Sequence, residues 1–442
     1  MRVVLGNGGG LSTAVSLHAL REQGHEVVCV HVDMLGADNE ENAERIRKEG
    51  LRLGAAASYS LHASDELANQ ILAKALPAHP EYDGGYHLSA ALSRPLIVEK
   101  LVDFYREHGC GAIAHGAAGH RNDFVRFNSY ARALEPEIEI LTPLRGVSLP
   151  REALLEEART RGIGVFSQIE RDYQVDENIW GRCLTYSSLD PWLDAPEDGF
   201  RWSVRDPSAA PLVLQIGFDR GVPTALDGRP CSLAAILRLL NREAGRRGIG
   251  RADIVENRIL GFKRRALYEA PGARVLILAH REIENLTCPQ DLLFFKRSVE
   301  QEYARLVYSG HYFSPLLNAL EAFLAETQNP VTGDIRVRLA DGVARVVGRR
   351  SEQALVPPVV LQGRRAAVLD LESRAVEGLA ESLGLSTRAF AALAPSAGSQ
   401  ADDVGPSSSL DSSVLKRILR LAGIQLQPPA RPASPPPDSD TL

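Results

Sequence analysis

Five residues near the start of the chain, Gly6-Asn7-Gly8-Gly9-Gly10, constrain the fold more than any other segment. They follow an apolar run, Arg2-Val3-Val4-Leu5, and precede residues 12–23, where Ala14, Leu17 and Leu20 recur at helical spacing. Strand, glycine turn and helix in that order open an α/β unit. The pattern then repeats. Gly24 ends the helix, residues 25–32 (HEVVCVHV) read as a second strand, residues 40–53 as a helix and residues 55–61 as a third strand. Strands separated by helices call for a parallel sheet covered on both faces. Ligands of such sheets sit at the carboxyl ends of the strands, and the glycine cluster lies at one such end. The expected class is α/β, with an N-terminal doubly wound parallel sheet.

Beyond about Tyr173 the texture changes. A strand at 211–218 and helices at 232–247, 289–307 and 314–328 alternate with turn-rich stretches, and one further helix is expected at 150–161. Residues 335–340 and 343–347, split by Asp341-Gly342, read as a β-hairpin. The organisation expected is a doubly wound α/β domain at 1–165, an α+β domain at 166–360 and a further segment at 361–394. Residues 395–442 follow as a Ser/Pro-rich linker, a short amphipathic helix at 414–422 and a Pro-rich disordered tail.

Composition excludes several classes. With 442 residues, 44% hydrophobic and 24% charged, the chain is not disordered overall. Its 50 basic and 56 acidic side chains give a formal charge of −6, which argues against a nucleic-acid binder working by bulk positive charge. No apolar run is long enough for a membrane span, and no signal peptide is evident. The five cysteines (Cys29, Cys110, Cys183, Cys231 and Cys288) form no CxxC pair, so a reducing cytoplasm without disulfides or a zinc site is expected.

A glycine-rich turn before a helix lets backbone N–H groups converge on phosphate oxygens. The segment LGNGGGLSTA satisfies neither the Walker pattern nor GxGxxG. By itself it reads equally well as a phosphate cradle or a tight structural turn. Other segments add to it, in order: YHLSAALSRPLI (86–97), HGAAGHRNDFVRF (115–127), VDENIWGRC (175–183), FDRGVPTALDG (218–228), GRADIVENRILGFKRRALYEAPG (250–272) and LVYSGHYFSP (306–315). In these segments, over residues 1 to about 350, the chain resembles the argininosuccinate synthase family; after about residue 355 the resemblance fades.

The resemblance implies an adenine nucleotide alpha hydrolase-like sheet, a synthetase domain and a homotetramer held partly by C-terminal elements. It implies an ATP-dependent C–N ligase. A ureido oxygen of citrulline attacks the α-phosphate, pyrophosphate leaves, and the amine of aspartate displaces AMP. ATP with magnesium and small-molecule partners are implied; no nucleic acid or membrane partner and no protein metal ligands are. By the same resemblance ATP falls to Gly6, Gly8, Gly9, Gly10, Ser12, Thr13, Arg94 and Gly116, and aspartate to Ala118, Asn122 and Asp123. The acceptor falls to Tyr86, Ala91, Arg126, Gln174, Cys183, Glu256 and Tyr268, with Arg94 and Asp123 as the catalytic pair. An arginine such as Arg126 suits a carboxylate, and a carboxylate such as Glu256 suits an ammonium or ureido N–H.

Departures from the family pattern are equally specific. Gly8, Ser12 and Ala14 stand for a serine, an aspartate and a serine of its loop. Ala118, His120 and Arg121 stand for threonine, lysine and glycine, and Ala91, Gln174 and Cys183 for three serines. Charged anchors persist while small hydroxyls go, which favours a ligase with an altered acceptor over a non-catalytic binding or partner protein of the same fold. An adenylating enzyme of the tRNA thiolase type shares only the loop. His115, His280, Trp180 and Trp192 read as packing residues, Cys183 as a small buried side chain, and Lys263-Arg264-Arg265 as a solvated face.

Overall fold

A computed structural model of the chain describes residues 1–36, 39–119, 121–146, 151–161, 163, 173–186, 189–356 and 373–393. It divides into two units, Met1–Ala366 and Ala367–Leu442. In the second, the described element is one helix, Ser373–Leu393. The expected linker, the helix at 414–422 and the tail lie outside the described residues, as does His120.

The first unit opens as expected. Strands β1 (Arg2–Gly6), β2 (Glu26–Asp33), β3 (Ala57–His62), β4 (Ala112–Ala114) and β5 (Ile140–Leu141) form one sheet in the order β3-β2-β1-β4-β5. Every pairing in it is parallel. Helices α1 (Leu11–Glu22), α2 (Glu40–Arg52), α3 (Ser89–Glu107) and α4 (Asn122–Leu134) belong to the same part of the chain. The two-residue side-chain period sorts β1. Val3 and Leu5 join Leu17 and Leu20 of α1, and Val4 joins the cluster that holds Leu101 and Val102 of α3. Strand order reverses at β1, between β2 and β4, so the carboxyl end of β1 opens on the switch-point crevice.

After helix α5 (Arg151–Thr160) the sheets are antiparallel. One runs β11-β12-β7-β6, from β6 (Tyr173–Asn178), β7 (Gly181–Tyr186), β11 (Arg251–Asn257) and β12 (Lys263–Glu269). The other runs β10-β9-β8-β13-β14, from β8 (Leu212–Asp219), β9 (Val222–Leu226), β10 (Arg229–Pro230), β13 (Gly333–Ala340) and β14 (Val343–Arg350). Asp341 and Gly342 turn the last hairpin with φ of +49° and +76°, as a tight two-residue hairpin turn requires. Helices α6 (Leu233–Gly245), α7 (Pro271–Thr287), α8 (Gln290–Tyr308) and α9 (Pro315–Thr327) complete the unit. Ser232 and Ser314 cap α6 and α9 through their hydroxyls. One apolar cluster takes in Val4, Leu101, Tyr130, Leu237, Tyr308 and Ile335, so residues before and after 165 share a core. No described helix is long and apolar enough to cross a membrane.

A polar network is sealed inside this core. Lys296 is 1% exposed; its Nζ donates to Glu300 Oε1 at 2.5 Å and lies 3.2 Å from Glu284 Oε2. His280 is the structural histidine expected, with Nε2 at 3.0 Å from Gln328 Oε1 and Nδ1 at 2.9 Å from His79 Nε2. His79, His280 and Glu284 bring three metal-capable atoms together, but the ammonium of Lys296 already lies against Glu284 and Glu300. Removing it strands them: Lys296→Met is expected to destabilise the protein by about 3–5 kcal/mol in urea titrations. Burial holds the His280 imidazole down to about 3, whereas an unfolded histidine protonates near about 6.5. Stability therefore falls as pH drops below about 6.5, by roughly 1 kcal/mol from this residue at pH 5.5 relative to 7.5. Urea midpoints at the two pH values should differ accordingly, and His280→Gln should shrink the difference.

Candidate active site

The crevice at the end of β1 widens into a cleft of about 720 Å3. Its nucleotide end is backbone. Gly9 lies at φ +67°, and a Cβ there would come within 2.6 Å of Ile46 on α2, so the position requires glycine. Asn7 braces the turn: its Oδ1 accepts the Gly9 N–H at 2.9 Å, and its own N–H donates to Val30 on β2 at 2.8 Å. A Cβ on Gly8 or Gly10 would meet nothing within 4 Å. Gly10 precedes α1 and provides no side-chain cap, which leaves the first N–H groups of the helix for an anion. From the other side, the Gly116 backbone approaches so closely that a Cβ would stand 2.9 Å from the Ser12 carbonyl oxygen.

The centre of the cleft is a desolvated charge cluster. The Tyr86 hydroxyl accepts the N–H groups of Ala90 and Ala91 at 3.0 and 3.2 Å and so caps the start of α3. That helix presents Arg94, which is 7% exposed. Arg94 Nη2 donates to Asp123 Oδ2 at 2.7 Å and also to the Asp176 carboxylate from β6. Arg126 Nη1 reaches the other Asp123 oxygen at 3.1 Å, while its Nε and Nη2 donate to the Tyr308 carbonyl at 3.0 and 2.7 Å. Burial opposes every charge here. It is outweighed: Arg94 and Arg126 hold the Asp123 carboxyl well below the usual range, and Asp123 and Asp176 hold Arg94 protonated.

The far wall is the face of the β11-β12-β7-β6 sheet. Register places Asp176 opposite Cys183, Cys183 opposite Tyr268, and Gln174 opposite Thr185. Glu256 is fully buried; its Oε2 accepts from the Tyr268 hydroxyl at 2.7 Å, and Arg258 donates to its Oε1. Tyr268 stacks on Tyr86 with centroids 4.2 Å apart. Burial pushes the Cys183 thiol up to about 12, so it is no nucleophile at neutral pH.

Gly6, Gly8, Gly9, Gly10, Ser12, Thr13, Tyr86, Arg94, Gly116, Asn122, Asp123, Arg126, Gln174, Cys183, Glu256 and Tyr268 thus all border one cleft. Ala91 and Ala118 are not among its lining residues. Ala91 is packed in the core, and the Ala118 carbonyl accepts the Arg121 N–H at 3.0 Å. Ala14 lies off the cleft too, in an apolar cluster with Leu11, Val15 and Leu144. His115 does line the cleft, its ring 5.1 Å from Phe127, and burial lowers its pKa to about 4. The expectation for Trp192 is corrected: it is 92% exposed in a turn, whereas Trp180 is buried. Arg264 and Arg265 are not simply solvated either. Arg264 donates to the Tyr186 carbonyl, and Arg265 pairs with Asp253 at 2.5 Å.

Among the cleft residues not singled out from sequence are Asn7, Asp176, Arg258 and Tyr308. Asp176 and Arg258 carried a usable signal, since each stands two positions along from a named residue, Gln174 or Glu256, in or next to a strand. Asn7 and Tyr308 act through contacts that only the fold creates.

A family model described as the arginosuccinate synthase N-terminal HUP domain matches residues 2–164, and one for the C-terminal domain matches 173–390. The chain belongs to the argininosuccinate synthase family. The second match runs past residue 355, where recognisable motifs end. An argininosuccinate synthase from Ligilactobacillus salivarius is 41% identical over 88% of this chain and 96% of its own length. Another from Symbiobacterium thermophilum is 41% identical over 89% and 98%. Among solved structures, the U34-tRNA thiolase NcsA from Methanococcus maripaludis aligns with a TM-score of 0.25 and 16% identity over 38% of this chain and 59% of that one, too slight a likeness to bear on function. The family comprises C–N bond-forming ligases, and its ATP-using character agrees with the backbone cradle. Within this family site, Cys183 should behave as an inert wall. Iodoacetamide at pH 8 should modify it about a thousandfold more slowly than a free thiol, as read by peptide mass spectrometry.

Proposed function

We propose that the chain is an ATP-dependent ligase that adenylates a ureido-type acceptor and condenses it with aspartate. The acceptor oxygen attacks the α-phosphorus and pyrophosphate departs. The aspartate amine then displaces AMP, losing a proton as the C–N bond forms. The observation that carries this reading is the continuity of the cleft. A backbone cradle, the Asp123-Arg94-Asp176 cluster and the Glu256-Tyr268 wall all open on the same space.

In this reading the N–H groups of the glycine loop and of the start of α1 take the pyrophosphate portion. The loop offers Ser12 and Thr13 but no carboxylate, so magnesium arrives on the phosphates, as it commonly does. Arg94 faces the charge that develops between nucleotide and acceptor. Asn122 and Asp123 hold aspartate, and Arg126 holds a carboxylate in the same cluster. Glu256 and Tyr268 take the amino-acid head of the acceptor. Three of the lost hydroxyls, at Ala14, Ala91 and Ala118, lie off the cleft, so their absence weighs little against catalysis. Gln174 and Cys183 border the wall assigned to the acceptor, which is citrulline or an altered analogue of it. Five free thiols suit a cytoplasmic setting, and the assembly is a homotetramer.

The test is pyrophosphate release from ATP-Mg with aspartate, across citrulline and other ureido and amide acceptors. Release that depends on both aspartate and an acceptor is expected. Restoring Gly8→Ser and Ser12→Asp should raise turnover, because a side chain at residue 8 meets open space. Silence with every acceptor, together with no thermal stabilisation by millimolar ATP-Mg, would leave a binding protein instead.

A further inference from the structure

Two residues of the cleft wall, drawn from different elements, meet across it. Arg121 is the extended residue before α4, directly ahead of Asn122 and Asp123. Gln174 is on β6. Arg121 Nη1 donates to Gln174 Oε1 at 2.5 Å, and both residues border the cleft. A guanidinium hydrogen bond of this kind is charge-assisted and directional. The strand's two-residue period turns Gln174 and Asp176 to the same side, where Asp176 holds Arg94. Register sets Gln174 beside Thr185, one row along from Asp176, Cys183 and Tyr268. The contact is therefore a strut standing next to the acceptor row. It ties the segment that carries Asn122 and Asp123 to the sheet that carries the acceptor wall.

Both ends of the strut are long side chains, and by the resemblance stated above they occupy positions of a glycine and a serine. Cys183, a row away, adds the bulk of sulfur for oxygen. All three changes take volume from the same part of the cleft. A pocket narrowed in this way admits a shorter acceptor, because a methylene without room costs overpacking.

We propose that Arg121 and Gln174 form a coupled specificity pair that selects a ureido amino acid with a shorter side chain than citrulline. The proposal rests on the ligase reading above. The pair acts as a unit, since losing either end removes the strut.

The experiment measures kcat/KM for pyrophosphate release with ω-ureido α-amino acids bearing one, two or three methylenes, citrulline being the longest. The parent protein should prefer a shorter member. Arg121→Gly, Gln174→Ser and the double variant should each shift the preference toward citrulline by about tenfold or more, the range a single methylene commands. The double should shift it no further than the larger single, and KM for ATP should hold within about threefold. Arg121→Lys should retain part of the parental ranking. If the double variant proves unstable in thermal melts, Gln174→Ser carries the same comparison. A parent that prefers citrulline, a ranking that does not move, or singles whose effects multiply in the double, overturns the proposal while leaving the ligase reading in place. A parent silent with every chain length, and not stabilised by ATP-Mg, overturns both.

Discussion

A guanidinium taken out of water needs carboxylates around it, and Arg94 finds two. Asp123 comes from α4 beside the parallel sheet and Asp176 from β6 of the antiparallel one. Both parts of the unit must therefore be folded and docked before this charge is satisfied. Removing both carboxylates would leave the buried guanidinium uncompensated, which is far costlier than losing a surface ion pair. Much of the surrounding architecture serves this cluster. Tyr86 caps the helix that presents Arg94, and Tyr308 gives its carbonyl to Arg126 and its hydroxyl to Asn122. A site assembled in this way has its electrostatics set before any substrate enters, which is what catalysis by positioning requires.

The sequence made the parallel sheet legible because its signals are local. A strand, a glycine turn and a helix need only a dozen residues to declare themselves, and the Asp341-Gly342 hairpin needs fewer. The charged anchors were singled out through resemblance, and the fold brings Arg94, Asp123, Arg126 and Glu256 to the border of one cleft. What was not legible depends on sheet register and long-range contact. Nothing near Gln174 announces Arg121, 53 residues earlier, as its partner. Lone alanines such as Ala14, Ala91 and Ala118 carry no sign of which way they face. Trp192 shows the same limit in reverse, since a large apolar side chain gives no notice that it will stand in solvent.

The departures from the family pattern change meaning once they are located. Counted along the chain, they suggest a site wearing away. Located in space, Ala14 and Ala91 are buried away from the cleft, while Gly8, Ser12, Arg121, Gln174 and Cys183 border it. Those on it fall at the glycine loop, through Gly8 and Ser12, and at the β6–β7 wall, through Gln174 and Cys183, with Arg121 bonded to Gln174. The central charge cluster between these two regions is intact. The changes thus lie around the charge cluster and leave its own members, Arg94, Asp123, Asp176 and Arg126, in contact.

One consequence follows from where the Arg94–Asp176 contact sits. It crosses from the helix that carries Arg94 to the sheet opposite, joining a buried guanidinium to a half-buried carboxylate. Drawing the two walls apart would break this pair and leave the buried Arg94 guanidinium with Asp123 alone. The contact is thus a rivet between the two walls of the cleft.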